Sequence, residues 1–112
     1  MFKNTNVYDC SRFNTGIKTI TGSYVFDSIF KNCKYLVKVP KLPATTLAFG
    51  CYPNMFEGCT GLTTLPSDLL PATTLTVTCY QYMFKGCTGL TTLPSDLLPA
   101  TTLADDCYSS MF

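Results

Sequence analysis

Seven cysteines, Cys10, Cys33, Cys51, Cys59, Cys79, Cys87 and Cys107, are the residues of this sequence best equipped for chemistry. Thiols can ligate zinc, pair as disulfides, act as nucleophiles or pack as small apolar groups. Zinc sites want closely spaced ligand pairs with His or further Cys nearby. Here the shortest gap, Cys51 to Cys59, leaves seven intervening residues, and the chain has no His. That argues against a metal, and it removes both thiol–imidazole and Ser-His-Asp catalysis. An odd number of thiols leaves at least one unpaired. The preferred reading is buried free thiols, and disulfides between or within repeats are the alternative for an oxidising compartment.

Carboxylates offer little more. Asp105 and Asp106 are adjacent, and they read as acids near a helix start, where exposed N–H groups favour them, rather than as an acid/base pair. No Gly-rich phosphate loop is present. The expectation is a chain that is not an enzyme and binds no cofactor.

Composition narrows the class. The 112 residues are 46% hydrophobic and 13% charged, with a formal net charge of +1, which suits one folded domain with no global attraction to nucleic acid or membrane. Charge is unevenly spread: positions 1–41 carry a balance of +5 and positions 42–112 a balance of −4, which is read as a bias among solvated residues, with head-to-tail contacts as the alternative. The opening MFKNTNVYD lacks the apolar core of a signal peptide, and no apolar run is long enough for a membrane span.

The elements that must hold these residues come from an internal repeat. Positions 58–75 read GCTGLTTLPSDLLPATTL, and positions 86–103 repeat all eighteen letters. Met55-Phe56, Met83-Phe84 and Met111-Phe112 keep the same 28-residue phase, as do Cys51, Cys79 and Cys107. Ile29-Phe30 and Cys33 belong to a diverged unit with a shorter loop, and Met1-Phe2-Lys3-Asn4 begins a looser one with Thr5 where the Cys should be. The single domain 1–112 therefore divides into about four units: 1–28 (divergent), 29–54, 55–82 and 83–112 (incomplete). In CYQYMF (79–84) the apolar residues at i, i+1, i+4 and i+5 predict one or two helical turns, with Gly86 as the stop. LTTLP and PATTL predict short strands, and Pro66 and Pro71 keep SDLL out of a ladder. The fold class expected is a repeat solenoid, α/β and leucine-rich-repeat-like, with short strands alternating with short helical turns. Its C-terminal end lacks a polar cap, so the chain is expected to be part of a longer solenoid or to be covered by a partner there.

The pattern F-x-x-C-x-x-L-x-x-L-P, as Phe56/Cys59/Leu62/Leu65/Pro66 and Phe84/Cys87/Leu90/Leu93/Pro94, resembles BspA-like leucine-rich repeats. Phe30/Cys33/Leu36/Val39/Pro40 fits with one substitution. The resemblance implies a non-catalytic binding or adhesion module of a bacterial surface or secreted protein, with a host or surface protein or glycan as partner. Similar repeats in phage structural proteins make a virion structural or receptor-binding component the alternative, with homotypic or virion assembly contacts through the uncapped end. Neither nucleic acid nor membrane insertion is expected, on the near-neutral net charge and the absence of a long apolar run.

Positions that vary between otherwise identical units point outward, because stacked core positions must match. They include Phe49, Pro53, Asn54, Thr76, Val77, Thr78, Gln81, Tyr82, Asp105 and Asp106, the candidate binding surface, with Phe49, Val77 and Tyr82 as its exposed apolar groups. Free drift of surface residues explains the same pattern. The recurring Thr-Thr pairs are read as soluble, β-favouring positions, with a hydroxyl array for ice or polysaccharide as the alternative.

Overall fold

The computed structural model describes residues 2–13 and 16–112. Turns dominate it. Four ribbons of linked turns run over 23–32, 49–58, 77–86 and 105–110. In each, every fourth residue has a left-handed backbone: Tyr24, Ser28 and Asn32; Gly50, Asn54 and Gly58; Thr78, Tyr82 and Gly86; Asp106 and Ser110.

Peptide groups in these ribbons alternate between two tasks. In the second ribbon the N–H groups of Met55, Glu57 and Cys59 bond three residues back, to Tyr52, Asn54 and Phe56. Those of Gly50, Tyr52, Asn54, Phe56 and Gly58 donate to the carbonyls of Val77, Cys79, Gln81, Met83 and Lys85 in the next ribbon, at 2.8 to 3.0 Å. The third ribbon bonds to the fourth in the same way, with Thr78, Tyr80, Tyr82 and Phe84 donating to Asp105, Cys107, Ser109 and Met111. The 28-residue period is thus expressed as hydrogen-bond register between layers.

This overturns the expected α/β leucine-rich-repeat-like solenoid. Among the described residues there is no helix, and β-structure is confined to isolated bridge residues, among them the parallel pairs Asp9 with Lys38, Thr19 with Thr46, and Thr74 with Thr102. The physical reason lies in the donors. A helix commits successive N–H groups to the carbonyl four residues back, whereas here every second N–H is committed to another layer and a left-handed residue breaks each turn. CYQYMF is therefore not helical, Gly86 (φ 74°) is a turn residue rather than a helix stop, and the capping role expected of Asp105 and Asp106 has no helix to serve. LTTLP at 62–66 forms no bridge, and in PATTL at 71–75 Thr74 alone is bridged. The radius of gyration, 12.7 Å, is that of a compact globular chain of this length, about 13 Å.

Burial follows the ribbons two by two. Cys51-Tyr52 and Met55-Phe56 point in, as do Cys79-Tyr80 and Met83-Phe84. Two ring columns result. Phe2, Phe30, Phe56, Phe84 and Phe112 stack at 5.3 to 5.6 Å with interplanar angles of 3° to 13°. Phe26, Tyr52, Tyr80 and Tyr108 stack at 5.6 to 6.0 Å. Beside the Phe column, the Cys33, Cys59 and Cys87 thiols donate to the carbonyls of Phe2, Phe30 and Phe56 in the layer behind, at 2.9 to 3.0 Å. Thr5, the substitute in that column, donates its hydroxyl to the Phe2 carbonyl at 2.6 Å.

Among the described glycines, a neighbouring layer's backbone comes closest at Gly61 and Gly89. A Cβ on Gly61 would lie 2.6 Å from the Lys34 carbonyl oxygen, and one on Gly89 would lie 2.5 Å from that of Leu62 and 2.7 Å from that of Thr60. Only glycine lets backbone pass there.

Candidate binding surface

Layer register determines where the ten sequence-predicted positions lie. Phe49, Thr76, Val77, Thr78, Asp105 and Asp106 fall on one edge of the ribbons, where the Gly50 N–H bonds to Val77 and the Thr78 N–H to Asp105. Asn54, Gln81 and Tyr82 follow on the next outward pair, with the Asn54 N–H bonded to Gln81. Phe49 (43% exposed), Asp105 and Asp106 are exposed, while Asn54, Thr76, Val77, Thr78, Gln81 and Tyr82 are half-buried. Pro53 departs from the outward expectation and is buried. Having no N–H, it forgoes the bond that Gln81 and Ser109 make three residues back at the same phase, and its apolar ring sits under cover.

An aromatic pair anchors this edge. Phe49 meets Tyr24 edge-on, with centroids 5.4 Å apart and ring planes at 80°. Tyr24 is 51% exposed and the neighbouring Val25 48%. Gly50 lies beneath the Tyr24 ring, so that a Cβ there would be 2.7 Å from it. Thr76 steadies the edge by donating its hydroxyl to the Ala48 carbonyl at 2.7 Å. Further along, the Lys85 ammonium lies 5.0 Å above the Tyr82 ring, and Lys31 pairs with Glu57 at 3.2 Å. Tyr24 and Val25 were not singled out by comparing units, because they lie in the divergent stretch that aligns poorly with the rest.

The thiols lie elsewhere. All seven are free and buried. Burial pushes Cys51 and Cys59 up to about 12, and Cys10, Cys79 and Cys87 up to about 11. They are therefore protonated near neutral pH and poor nucleophiles. Among the described residues no group of three or more His, Cys, Asp or Glu side chains is placed to hold a metal ion, and no helix is long and apolar enough to cross a membrane.

A polar hollow of about 530 Å³ opens between the first two layers, lined by Asn4, Thr5, Asn6, Asn32, Lys34 and Tyr35. The Asn32 side-chain amide donates to the Asn4 amide oxygen at 3.1 Å. A signal for it was legible: where both later units have Gly, Thr and Gly (Gly58, Thr60, Gly61; Gly86, Thr88, Gly89), this unit has Asn32, Lys34 and Tyr35.

No protein-family model matches the chain, and neither does a curated protein sequence or a solved structure.

Proposed function

We propose that this chain is a non-catalytic binding module that engages a macromolecular partner through the edge centred on Tyr24 and Phe49. The observation that carries this reading is the exposed edge-to-face ring pair, flanked by Val25 and Val77. Large rings held half out of the surface supply contact area at low entropic cost when a partner covers them. Burial of all seven thiols, five of them with ionisation pushed up by that burial, supports binding over thiol chemistry. A bacterial surface or secreted setting, with a host or surface protein or glycan as partner, rests on the repeat resemblance.

The test is direct. Fluorescently labelled protein is applied to fixed cells and to wells coated with matrix proteins, alongside a Tyr24→Ala/Phe49→Ala variant. Rings at the centre of an interface give a loss of about tenfold or more in affinity on truncation. Retention of full affinity by a folded double variant refutes this choice of surface.

A further inference from the structure

We propose that the hollow between the first two layers is a saccharide site, taking an acidic sugar residue whose carboxylate meets Lys34 and whose ring lies on Tyr35. The proposal rests on the binding-module reading but on a separate part of the molecule from the Tyr24–Phe49 edge.

The hollow exists because the repeat is broken there. At both later interfaces the Tyr35 phase is glycine, and the carbonyls of the layer behind press to within 2.5 to 2.7 Å of where its Cβ would be. A tyrosine cannot occupy that phase against a layer so close. The segment Thr5–Asn6 stands off from Lys34 and Tyr35, and the gap is the hollow. Neighbouring phases change in the same direction: Asn32 replaces a glycine and Lys34 a threonine. Three positions that are small elsewhere thus become an amide, a cation and an aromatic ring facing one space.

That set matches sugar chemistry. The Asn4 amide presents a donor and an acceptor in one plane, as adjacent sugar hydroxyls require of a partner, whereas the Asn32 amide turns its oxygen to Gly58 and keeps only its amino group on the Asn4 side. Asn4 and Asn32 are held in register by their mutual hydrogen bond. Thr5 spends its proton on the Phe2 carbonyl, so its oxygen is left as an acceptor. Tyr35, 62% exposed, offers a flat apolar face to the C–H side of a pyranose ring. Lys34 is the one charged residue lining the hollow, which selects an acidic sugar over a neutral one. A phosphate site would call for several cations or a nest of backbone N–H groups. All six lining residues are exposed, so the hollow is open and suits one residue of a longer saccharide rather than an enclosed small molecule.

The experiment titrates the whole chain with tetragalacturonate, followed by saturation-transfer NMR and calorimetry, with cellotetraose and tetra-aspartate as the neutral and the non-sugar acidic controls. The key variant is Lys34→Thr/Tyr35→Gly, which installs the residues the later units already carry at these phases and so keeps the fold. Binding of tetragalacturonate in preference to both controls is expected, with a loss of about tenfold or more in the variant. The Tyr24→Ala/Phe49→Ala variant is expected to bind tetragalacturonate as the parent does, so failure of the edge and failure of the hollow are told apart. Absence of tetragalacturonate binding, equal binding of either control, or undiminished binding by the Lys34→Thr/Tyr35→Gly variant overturns the proposal.

Discussion

Raising the pH should unfold this protein well before its backbone chemistry is at risk. Cys51, Cys59, Cys79 and Cys87 are buried, and their thiols are raised from an ordinary 9.0 to about 11 or 12, chiefly because burial penalises the thiolate. For a group raised in the native state, the associated stability is intact below the unfolded value and is lost as pH climbs toward the native one. The window is thus pH 9 to about 11 or 12. At pH 10 the unfolded chain gains about 1.4 kcal/mol per thiol by ionising, and the native chain gains almost nothing. Four thiols together shift the balance by about 6 kcal/mol, comparable with the whole stability of a small domain, about 5–15 kcal/mol. Tyr52 and Tyr80, also raised by burial, add to the loss at still higher pH. Guanidinium titrations followed by circular dichroism at pH 8, 9 and 10, under reducing conditions and fixed ionic strength, measure the slope. Cys79→Ala should lower the slope by about a quarter of the four-thiol effect, whatever it does to stability at pH 7. A midpoint that stays put between pH 8 and pH 10, or thiols that react promptly with Ellman's reagent in the native protein, would refute the reasoning.

Two further outcomes test the layered packing. Gly89→Ala should destabilise by about 2–3 kcal/mol, because its Cβ meets two backbone oxygens that cannot swing aside. Gly86→Ala has nothing nearer than 3.7 Å and should cost only the left-handed penalty, about 1–2 kcal/mol; thermal melts that rank Gly86→Ala as the worse variant contradict the observed stacking. Thr78 is a β-branched residue at φ 56°, so Thr78→Asn should stabilise by about 1 kcal/mol and raise Tm by about 4 °C, and a lower Tm counts against that strain.

Much of the burial was legible and most of the secondary structure was not. The apolar pairs Cys79-Tyr80 and Met83-Phe84 share a face, as their spacing predicts, and all four are buried. Over six residues, however, a ribbon with a repeat of four and a helix with a repeat of 3.6 bury the same set, so periodicity cannot separate them. What separates them is where the alternate N–H groups go, and that depends on a neighbouring layer 27 residues away, as in Tyr52 to Cys79. The left-handed positions carried a faint trace, since Gly50, Asn54 and Gly58 are residues that tolerate such a backbone, but Thr78 and Tyr82 at the same phases hid it. Of the candidate surface, Phe49 and the two acids are exposed, whereas Val77 and Tyr82, expected as exposed apolar groups, are only half-exposed and Pro53 is buried. The Phe49 partner, Tyr24, was out of reach because contact between them is tertiary.

Departures from the repeat are not equally informative. At the outward pairs of the ribbons, such as Gln81-Tyr82 and Ser109-Ser110, a side chain can change without displacing a neighbouring layer, so variation there is cheap. The Tyr35 phase is different. In the later units it lies under backbone carbonyls, and nothing larger than glycine fits unless the layers part. The opening is local: Phe2 still stacks on Phe30 at 5.3 Å and the Asn4 N–H still bonds to the Lys31 carbonyl at 2.9 Å, so room is made only around Thr5, Asn6, Lys34 and Tyr35. Asn32 and Lys34 change alongside Tyr35, and each adds a hydrogen-bonding or charged group to the space so opened. Drift at unconstrained positions has no reason to choose a phase where enlargement meets backbone oxygens, nor to furnish the resulting gap with an amide, a cation and an exposed ring. The hollow therefore makes a stronger claim on function per residue than the exposed variable positions do, although it was the latter that unit-to-unit comparison brought forward first.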